Sequence, residues 1–512
     1  MSLIFNVLKS SGDDLAGLFK IAEEFKRVLF KALGVGGEFP VSSTVVHNLR
    51  VLLGNKDPNV AEVVKVICAD PILAMRLVSL VNFPAYFRGK PVLSVTNAVS
   101  QLGFTRIVDV VSEFAAQKDF ATVFTGRGEC AVLLGRIMAA CIISRKLVEL
   151  LSPRRRLAEE TLIACLLSNL PELLLAFYKA NIYAAIVIDA QRSEQDFEKS
   201  FKKAFKSSLS EFSEEAIAAL SLPKDYGAMM RLMVVPPWNK RGLNAEEKED
   251  TRSIVKSVYV GNTIAAAFFT FEGADYVRSK IKEMDMKSDF GEDDIFDMLD
   301  SLEIELTKEL DLIGLPPFRL PDFNIRIKPQ EMTEPVPKET PAPRPVASLN
   351  ARLNPFLLEL KVLTKSRAAE GEPSRLYHAI HATLVALVNA LNFDRACLIA
   401  YDREMKVLKI VARYGVRSPS VDAYVRRLDA KGREYLPDLK AYYERQAVFT
   451  GDPLFGDDWP FACFPVIIGG EVQGLFYADK SAQPNPQPLA LDDQLAVTAL
   501  AEQWQQAGSD FV

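Results

Sequence analysis

The chain has 512 residues, of which 49% are hydrophobic and 25% charged, proportions that are ordinary for a globular protein of two or three domains. Its formal net charge of −5 gives no overall attraction to nucleic acid or to an acidic membrane. No uninterrupted apolar run approaches the roughly 20 residues of a membrane helix, and the start lacks the charged and apolar segments of a signal peptide. Six scattered cysteines without a C-x-x-C pair favour reduced thiols and a cytoplasmic location.

The first predicted elements are helices. Residues 13–33 are amphipathic, with acidic residues at the start, and predict a helix that stops at the glycines after it. Further helices are predicted over residues 45–53 and 58–68, the second of them opened by Asp57-Pro58.

Residues 70–111 predict three short helices packed into a compact unit. Asp70 and Pro71 open the first, since aspartate is a good cap and proline at the first helical position needs no N–H partner. Asn82 ends it, because the Phe83-Pro84 step disfavours helical geometry. The boundaries of the next two helices are set by Ser94, Gly103 and Thr105.

The residues that define this pattern are Asp70, Pro71, Leu77, Asn82, Ala98, Leu102, Gly103 and Thr105. In this combination they resemble the HDOD family, a group of signalling modules related to the HD phosphohydrolases. The resemblance implies an all-α domain over residues 39–270, which begins at a proline-containing segment such as Phe39-Pro40 and closes with a helix such as residues 245–269.

The pattern stays helical up to residue 312. Residues 129–151 are apolar almost all round, which predicts a buried central helix, and residues 158–178 predict another, interrupted at Pro171. Arg154–Arg156 lie between the two, either as a solvated basic turn or as a contact for phosphate or nucleic acid. The other helical patterns cover residues 194–220, 245–269 and 272–312, the last being acidic.

Prolines crowd the stretch from Leu315 to residue 350, which predicts a semi-rigid linker and a domain boundary. The predicted units are an N-terminal helix (1–38), the helical domain (39–270), an acidic helical extension (271–314), the linker (315–350) and a C-terminal domain (351–512).

Beyond the linker the hydrophobic period changes from that of helices to that of strands. Asp402-Arg403-Glu404 and Gly469-Gly470-Glu471 predict the turns of two hairpins, and residues 374–391 and 491–506 predict a helix at each end. This order is typical of an α+β domain with a central antiparallel sheet covered by its terminal helices. Phe393-Asp394-Arg395, Phe464-Pro465-Val466 and residues 474–479 make it resemble a GAF domain.

A GAF-like fold often encloses a small ligand between its sheet and the connecting segments. The resemblance places the candidate pocket wall in residues 452–463, and the alternative is that the aromatic residues there complete the core. The candidate wall residues are Phe455, Trp459, Phe461 and Cys463.

HD phosphohydrolases hold divalent metal with histidines and aspartates, including an adjacent His-Asp pair on a buried helix. The resemblance places Ser168 and Asn169 where that pair would stand. An upstream ligand position falls near Arg136, whose guanidinium cannot bind a metal. The chain has three histidines in total, and no set of metal ligands can be assembled within residues 39–270. We therefore expect no metal, no cofactor and no catalysis in the helical domain.

The remaining polar candidates have modest expected roles. His47 is predicted to be an ordinary helix residue. His378 and His381 share one helix face at a spacing compatible with metal binding, but no nearby acid or cysteine in the sequence completes a site, which favours a surface pair. Asn82 either bonds backbone groups at its helix end or contacts a partner. The basic loop Arg88–Lys90 is either solvated or docks a partner.

The sequence therefore favours a cytoplasmic, bacterial-type signalling protein without catalytic activity. Its HDOD domain would bind other signalling proteins, under the control of a GAF-like domain that senses a small ligand or a partner. One alternative is a metal-dependent phosphohydrolase acting on cyclic dinucleotides, and another is a nucleic-acid-associated regulator, which the net charge disfavours. Residues 374–391 and 491–506 could also pair two chains into a homodimer.

Overall fold

The computed structural model describes residues 26, 27, 29, 40–55, 58–117, 124, 126–234, 236–238, 249–285, 290–325, 348–363, 375–416, 424–456, 460–480 and 488–507. Most of the predicted helix over residues 13–33 lies outside this set, as do residues 326–347 of the predicted linker and Trp459.

The N-terminal part of the described chain is entirely helical apart from its connections. Its helices are α1 (Ser43–Leu53), α2 (Val60–Cys68), α3 (Pro71–Asn82), α4 (Val95–Leu102), α5 (Phe104–Gln117), α6 (Gly128–Leu151), α7 (Arg155–Ser168), α8 (Leu170–Tyr178), α9 (Ala180–Arg192), α10 (Phe197–Phe205), α11 (Leu209–Ala219), α12 (Lys224–Leu232) and α13 (Glu249–Phe268).

Side-chain caps explain where several of these helices begin. Ser42, Asn59, Asp70 and Ser94 each accept a backbone N–H from the first turn of α1, α2, α3 and α4, respectively. Because Asn59 is the cap, α2 begins at Val60 rather than at the predicted residue 58. The helix predicted over residues 158–178 is interrupted, but at Asn169 rather than at Pro171, which lies in the first turn of α8. Helices α7 and α8 meet there at a 52° bend.

The central element is α6, as its all-round apolar sequence predicted. It packs against α7 and α13, and its residues are buried on every side along most of its length. The acidic extension is helical as well, forming α14 (Ala274–Asp285), α15 (Glu292–Leu299) and α16 (Leu302–Ile313). Helix α16 folds back onto α6 and α1, so the extension is part of the helical domain's packing.

The C-terminal part is a five-stranded antiparallel sheet with helices around it. The strands follow the order β3-β2-β1-β5-β4, with both predicted hairpins in place. Its elements are α17 (Leu349–Leu363), α18 (Arg375–Asn389), β1 (Arg395–Asp402), β2 (Val407–Gly415), β3 (Val425–Arg427), α19 (Pro437–Glu444), β4 (Phe461–Ile468), β5 (Glu471–Asp479) and α20 (Leu491–Ala507).

The two faces of this sheet are covered differently. One face packs under α18 and α20, and its apolar residues join those of the helical domain in one continuous core. The other face has a smaller core of its own beneath α19. Helix α18 lies between the sheet and helices α6 and α9 of the helical domain, and nearly all its residues are buried. It is therefore covered within one chain.

Residues 315–325, predicted to begin the linker, are packed instead. Phe323 and Ile325 are buried, and Arg319 donates from its backbone N–H to the carbonyl of Asn389 at 2.7 Å. A Cβ on Gly135 of α6 would stand 2.2 Å from the ring of Phe318, so the glycine makes room for this segment. The prolines agree with the irregular backbone of residues 315–325, which form neither helix nor strand. The prediction that this part of the chain is a linker without a buried core is wrong, because the segment is packed.

Helices α7 and α8 together reach the length and apolar character of a membrane span, but only across their bend, and no single described helix does so alone. All six cysteines are buried and free.

Candidate functional site

Asp70 connects the start of α3 to the start of α1. Its Oδ1 accepts the backbone N–H groups of Ile72 and Leu73, both at 3.0 Å, and its Oδ2 accepts that of Ser42 at 2.9 Å. The side chain is fully buried, and burial raises its pKa to about 6 although the three N–H donors oppose the shift. The predicted cap is confirmed, with the contact to Ser42 as an addition.

Asn82 closes the loop that follows α3. Its Nδ2 donates to the carbonyls of Val78 and Val92, both at 2.7 Å, and its Oδ1 accepts the N–H of Val92 at 2.9 Å. The side-chain amide of Asn82 therefore bonds both the N–H and the carbonyl of Val92, as a neighbouring backbone would. This confirms the predicted role of Asn82 in bonding backbone groups. Gly103 ends α4 with φ of 73°, a conformation that favours glycine.

Ser168 and Asn169 stand at the end of α7 in a network of neutral groups. The Nδ2 of Asn169 donates to Oδ1 of Asn262 at 2.8 Å and to the carbonyl of Cys165 at 2.9 Å. The Nδ2 of Asn262 in turn donates to Oγ of Ser168 at 3.0 Å. These hydroxyl and amide groups satisfy one another, and none of them is an imidazole or a carboxylate.

The basic residues singled out in the sequence differ in their surroundings. Arg154 donates to both carboxylate oxygens of Asp250, at 2.7 and 2.9 Å, and Arg156 pairs with Glu160 at 3.1 Å. Arg136 pairs with Glu172 at 2.8 Å. The loop Arg88–Lys90 and His47 are exposed.

Three of the candidate ligand-pocket residues of the C-terminal domain fill a core. Phe455, Phe461 and Cys463 are 9%, 0% and 0% exposed, on the face of the sheet beneath α19. The ring of Tyr477 lies 5.5 Å from that of Phe455 and 5.7 Å from that of Phe461, centroid to centroid. This packing agrees with the alternative that the aromatic residues complete the core.

A buried ion pair closes the same domain at the ends of β1 and β5. Arg395 donates from Nε and Nη2 to the two oxygens of Asp479, at 2.6 and 2.7 Å. Its guanidinium also lies 4.8 Å from the ring centroid of Phe455. This two-pronged geometry is the strongest form of such a pair.

The expectation that His378 and His381 form a surface pair is wrong. Both lie on α18 where it meets the helical domain; His381 is 3% exposed and the side chain of His378 is 12% exposed. Each faces Glu129, in the first turn of α6, and His378 also faces Glu359 on α17. The acids are Glu359, which stands 19 residues before His378, and Glu129, which is far away in the sequence.

The distances within this group are short. Nε2 of His378 lies 2.9 Å from Oε1 of Glu359 and 3.6 Å from Oε2 of Glu129. Nδ1 of His381 lies 2.8 Å from Oε1 of Glu129, though the two are not aligned as a hydrogen bond. We call Glu129, Glu359, His378 and His381 the interdomain cluster.

Charge and burial shift the pKa values of two cluster members. Burial lowers the pKa of His378, but the contacts with Glu359 and Glu129 outweigh it and raise that pKa above its ordinary value. Burial raises the pKa of Glu359 against the opposing effect of His378. A carboxylate and an imidazole that are both buried here stabilise each other's charged forms.

Sequence reasoning missed Glu129 and Glu359 as functional candidates. A usable signal did exist for Glu129, since it is an acid at the start of a helix that is otherwise apolar all round. Among the described residues, the only group of three His, Cys, Asp or Glu side chains close enough to share one metal ion is Glu129, Glu359 and His378.

Residues 39–234 match the family model of the HDOD domain. The helical unit therefore contains an HDOD domain, as the sequence predicted, and the C-terminal domain with its antiparallel sheet follows it in the chain.

Similar solved structures include the MmoQ response regulator from Methylococcus capsulatus str. Bath, with 15% identity, 51% of this chain and 96% of that chain covered, and a TM-score of 0.38. An HDOD domain protein from Geobacter sulfurreducens has 19% identity, 58% and 97% coverage, and a TM-score of 0.31. A GAF domain from an Acinetobacter phosphoenolpyruvate-protein phosphotransferase has 15% identity, 30% and 89% coverage, and a TM-score of 0.23. No curated protein matches the chain.

Proposed function

We propose that the protein is a non-catalytic regulator in bacterial signal transduction. In this proposal the HDOD domain is an interaction module for other signalling proteins, and the C-terminal domain is a GAF-like sensor of a small ligand or a partner. The buried, free cysteines agree with a cytoplasmic setting.

The observation that carries the proposal is the network around Ser168 and Asn169. A phosphohydrolase of the HD type needs ligands that hold a metal and activate water. At this place the chain has a hydroxyl and two amides that satisfy one another through Asn262. Neutral amides and hydroxyls neither replace the charge of carboxylates nor bind metal as imidazoles do.

The packing of α18 supports control of one domain by the other. This helix contacts β1 and β2 of the sheet on one side and α6 and α9 of the helical domain on the other. Gln191 at the end of α9 also accepts the backbone N–H of Arg413 in β2 at 3.2 Å. In this proposal the sheet domain has two arrangements, and a ligand that binds one of them more tightly increases the population of that arrangement. The contacts of α18 and Gln191 then transmit the change to the HDOD domain.

The test is a phosphodiesterase assay on the full chain, with cyclic dinucleotides and a chromogenic phosphodiester as substrates and Mn²⁺, Mg²⁺ or Fe²⁺ added. We expect no turnover above the buffer rate. Metal-dependent turnover that Asn169→Ala abolishes, and that His47→Ala leaves intact, would overturn the proposal in favour of an HD-type phosphohydrolase.

A further inference from the structure

We propose that Glu129, Glu359 and His378 bind one divalent transition-metal ion between the HDOD domain and the C-terminal domain. This site is separate from the Ser168–Asn169 position and does not depend on the function proposed above. Imidazole nitrogen with carboxylate oxygen is a donor set that suits Zn²⁺, Fe²⁺ and Mn²⁺.

The spacing of the donor atoms fits a shared ion. Ligand atoms at the usual zinc distances of roughly 2.0–2.2 Å lie about 3.3–3.6 Å apart in a tetrahedral site. Nε2 of His378 is 2.9 Å from Oε1 of Glu359 and 3.6 Å from Oε2 of Glu129. The three ligand atoms all lie within 4.8 Å of one another, so small side-chain movements bring them onto one ion.

The burial of Glu129 is the independent observation that points to a cation. Its side chain is 4% exposed, and neither carboxylate oxygen accepts a hydrogen bond from any described residue. Glu359 is also 4% exposed. Two carboxyl groups removed from water in one place are stabilised by nearby positive charge, and a divalent ion bound between them would supply it.

Neighbouring groups hold the ligands in position. The backbone N–H of Glu129 donates to Oε2 of Glu359 at 3.4 Å, which leaves Oε1 facing His378. His381 lies beside the other oxygen of Glu129, and its ring is held edge-to-face between Tyr183 and Tyr414, at 5.9 Å from each. Metal ligands are commonly oriented by such outer contacts, and we assign His381 this positioning role.

An ion and a fourth ligand can reach the site from one side. A cavity of about 290 Å³ is lined by Glu359 and His378 together with Arg127 and Arg375. The cavity has room for a water molecule, which would complete a four-coordinate site with three protein ligands.

A metal bound here would connect parts of the protein that are distant in sequence. Glu129 belongs to the central helix of the HDOD domain, whereas Glu359 and His378 belong to the helices that lead into the sheet domain. The ion would therefore strengthen the interface on which coupling between the domains depends, and its loss would loosen that interface.

The first experiment uses the full chain, freed of metal by chelator and dialysis, and titrated with ZnCl₂ by calorimetry. We expect saturable binding of one Zn²⁺ per chain and a melting temperature that rises with Zn²⁺ concentration. Co²⁺ in the same site should give visible absorption typical of nitrogen and oxygen ligands. Failure of the wild-type chain to bind one ion with saturation would overturn the proposal.

Variants locate the ion. Glu129→Gln and His378→Gln each keep the side chain's size, and we expect each to weaken Zn²⁺ binding at least tenfold. His47→Gln removes the third, exposed histidine and should leave affinity unchanged. Circular dichroism confirms folding, and Glu359→Gln replaces any variant that fails to fold. Equal affinity in all these variants would mean adventitious surface binding and would overturn the site.

The Asn169→Ala variant separates this proposal from the previous one. We expect it to retain the ion, because Asn169 is not a ligand. An ion lost in Asn169→Ala but kept in Glu129→Gln would refute the interdomain site and, with turnover, the non-catalytic function as well. If the wild-type chain binds no ion and shows no turnover, only the metal site is refuted and the non-catalytic function stands.

Discussion

The amide of Asn82 makes a quantitative prediction about the loop after α3. Replacing it with alanine removes three hydrogen bonds and leaves both the N–H and the carbonyl of buried Val92 without their partner. At about 1 kcal/mol net for each bond, and more where a buried group stays unsatisfied, Asn82→Ala should lower the free energy of unfolding by about 2–4 kcal/mol.

Urea denaturation of the full chain, followed by circular dichroism, measures this loss. Asn97→Ala is the matched control, since Asn97 is an exposed asparagine on the next helix and its replacement should change stability by less than about 0.5 kcal/mol. Asn82→Asp keeps an acceptor for the N–H of Val92, but it places a carboxylate oxygen, which cannot donate, next to the carbonyls of Val78 and Val92. It should therefore be at least as destabilising as Asn82→Ala at neutral pH.

Hydrogen exchange gives a local reading of the same prediction. The amide of Val92 should exchange faster in Asn82→Ala, because its acceptor is gone. If Asn82→Ala were as stable as Asn97→Ala and Val92 stayed protected, the loop would be closed by other contacts and the assigned role of Asn82 would be refuted.

Three further predictions concern buried charges, each measured by urea denaturation. Asp70→Ala should cost about 2–4 kcal/mol, because it removes both the cap of α3 and the acceptor for Ser42, whereas Asp70→Ser keeps a cap and should lose less. Arg395→Met should cost about 3–5 kcal/mol by removing the ion pair of the buried Asp479 carboxylate, and adding Asp479→Leu should recover much of it; a double variant no better than the single one would contradict this. Burial raises the pKa of Glu160 from 4.5 to about 7, so the folded state holds the proton on this carboxyl more tightly than the unfolded state does. The stabilisation from this proton is therefore fully present below about pH 4.5 and is lost as the pH rises through 7. Wild type should therefore lose up to about 3 kcal/mol relative to Glu160→Gln between pH 4.5 and pH 8, and a difference independent of pH would contradict the shift.

Local sequence signals predicted the helical unit well. The caps and stops at Asp70, Asn82, Ser94 and Gly103 act within a few residues of themselves, so they can be read without knowing the fold. The two hairpins were predictable for the same reason, because each turn joins strands that are neighbours in sequence.

The interdomain cluster was not predictable in this way. The spacing of His378 and His381 shows that they share a helix face, but it does not show what lies opposite that face. The partner acid Glu129 is separated from Glu359 by 230 residues and meets the histidines only after both domains have packed. Likewise, the proline-rich start at residue 315 gave no sign that Phe318 would pack against Gly135.

The position of Glu129 also constrains the order of events during synthesis. Ribosomes add roughly 5–20 residues per second, so the 230 residues between Glu129 and Glu359 take about 10–50 s to appear. During that interval the nascent HDOD domain holds an acidic side chain whose eventual neighbours do not yet exist. Contacts with Glu359, His378 and His381 can therefore remove Glu129 from water only after α17 and α18 have been made.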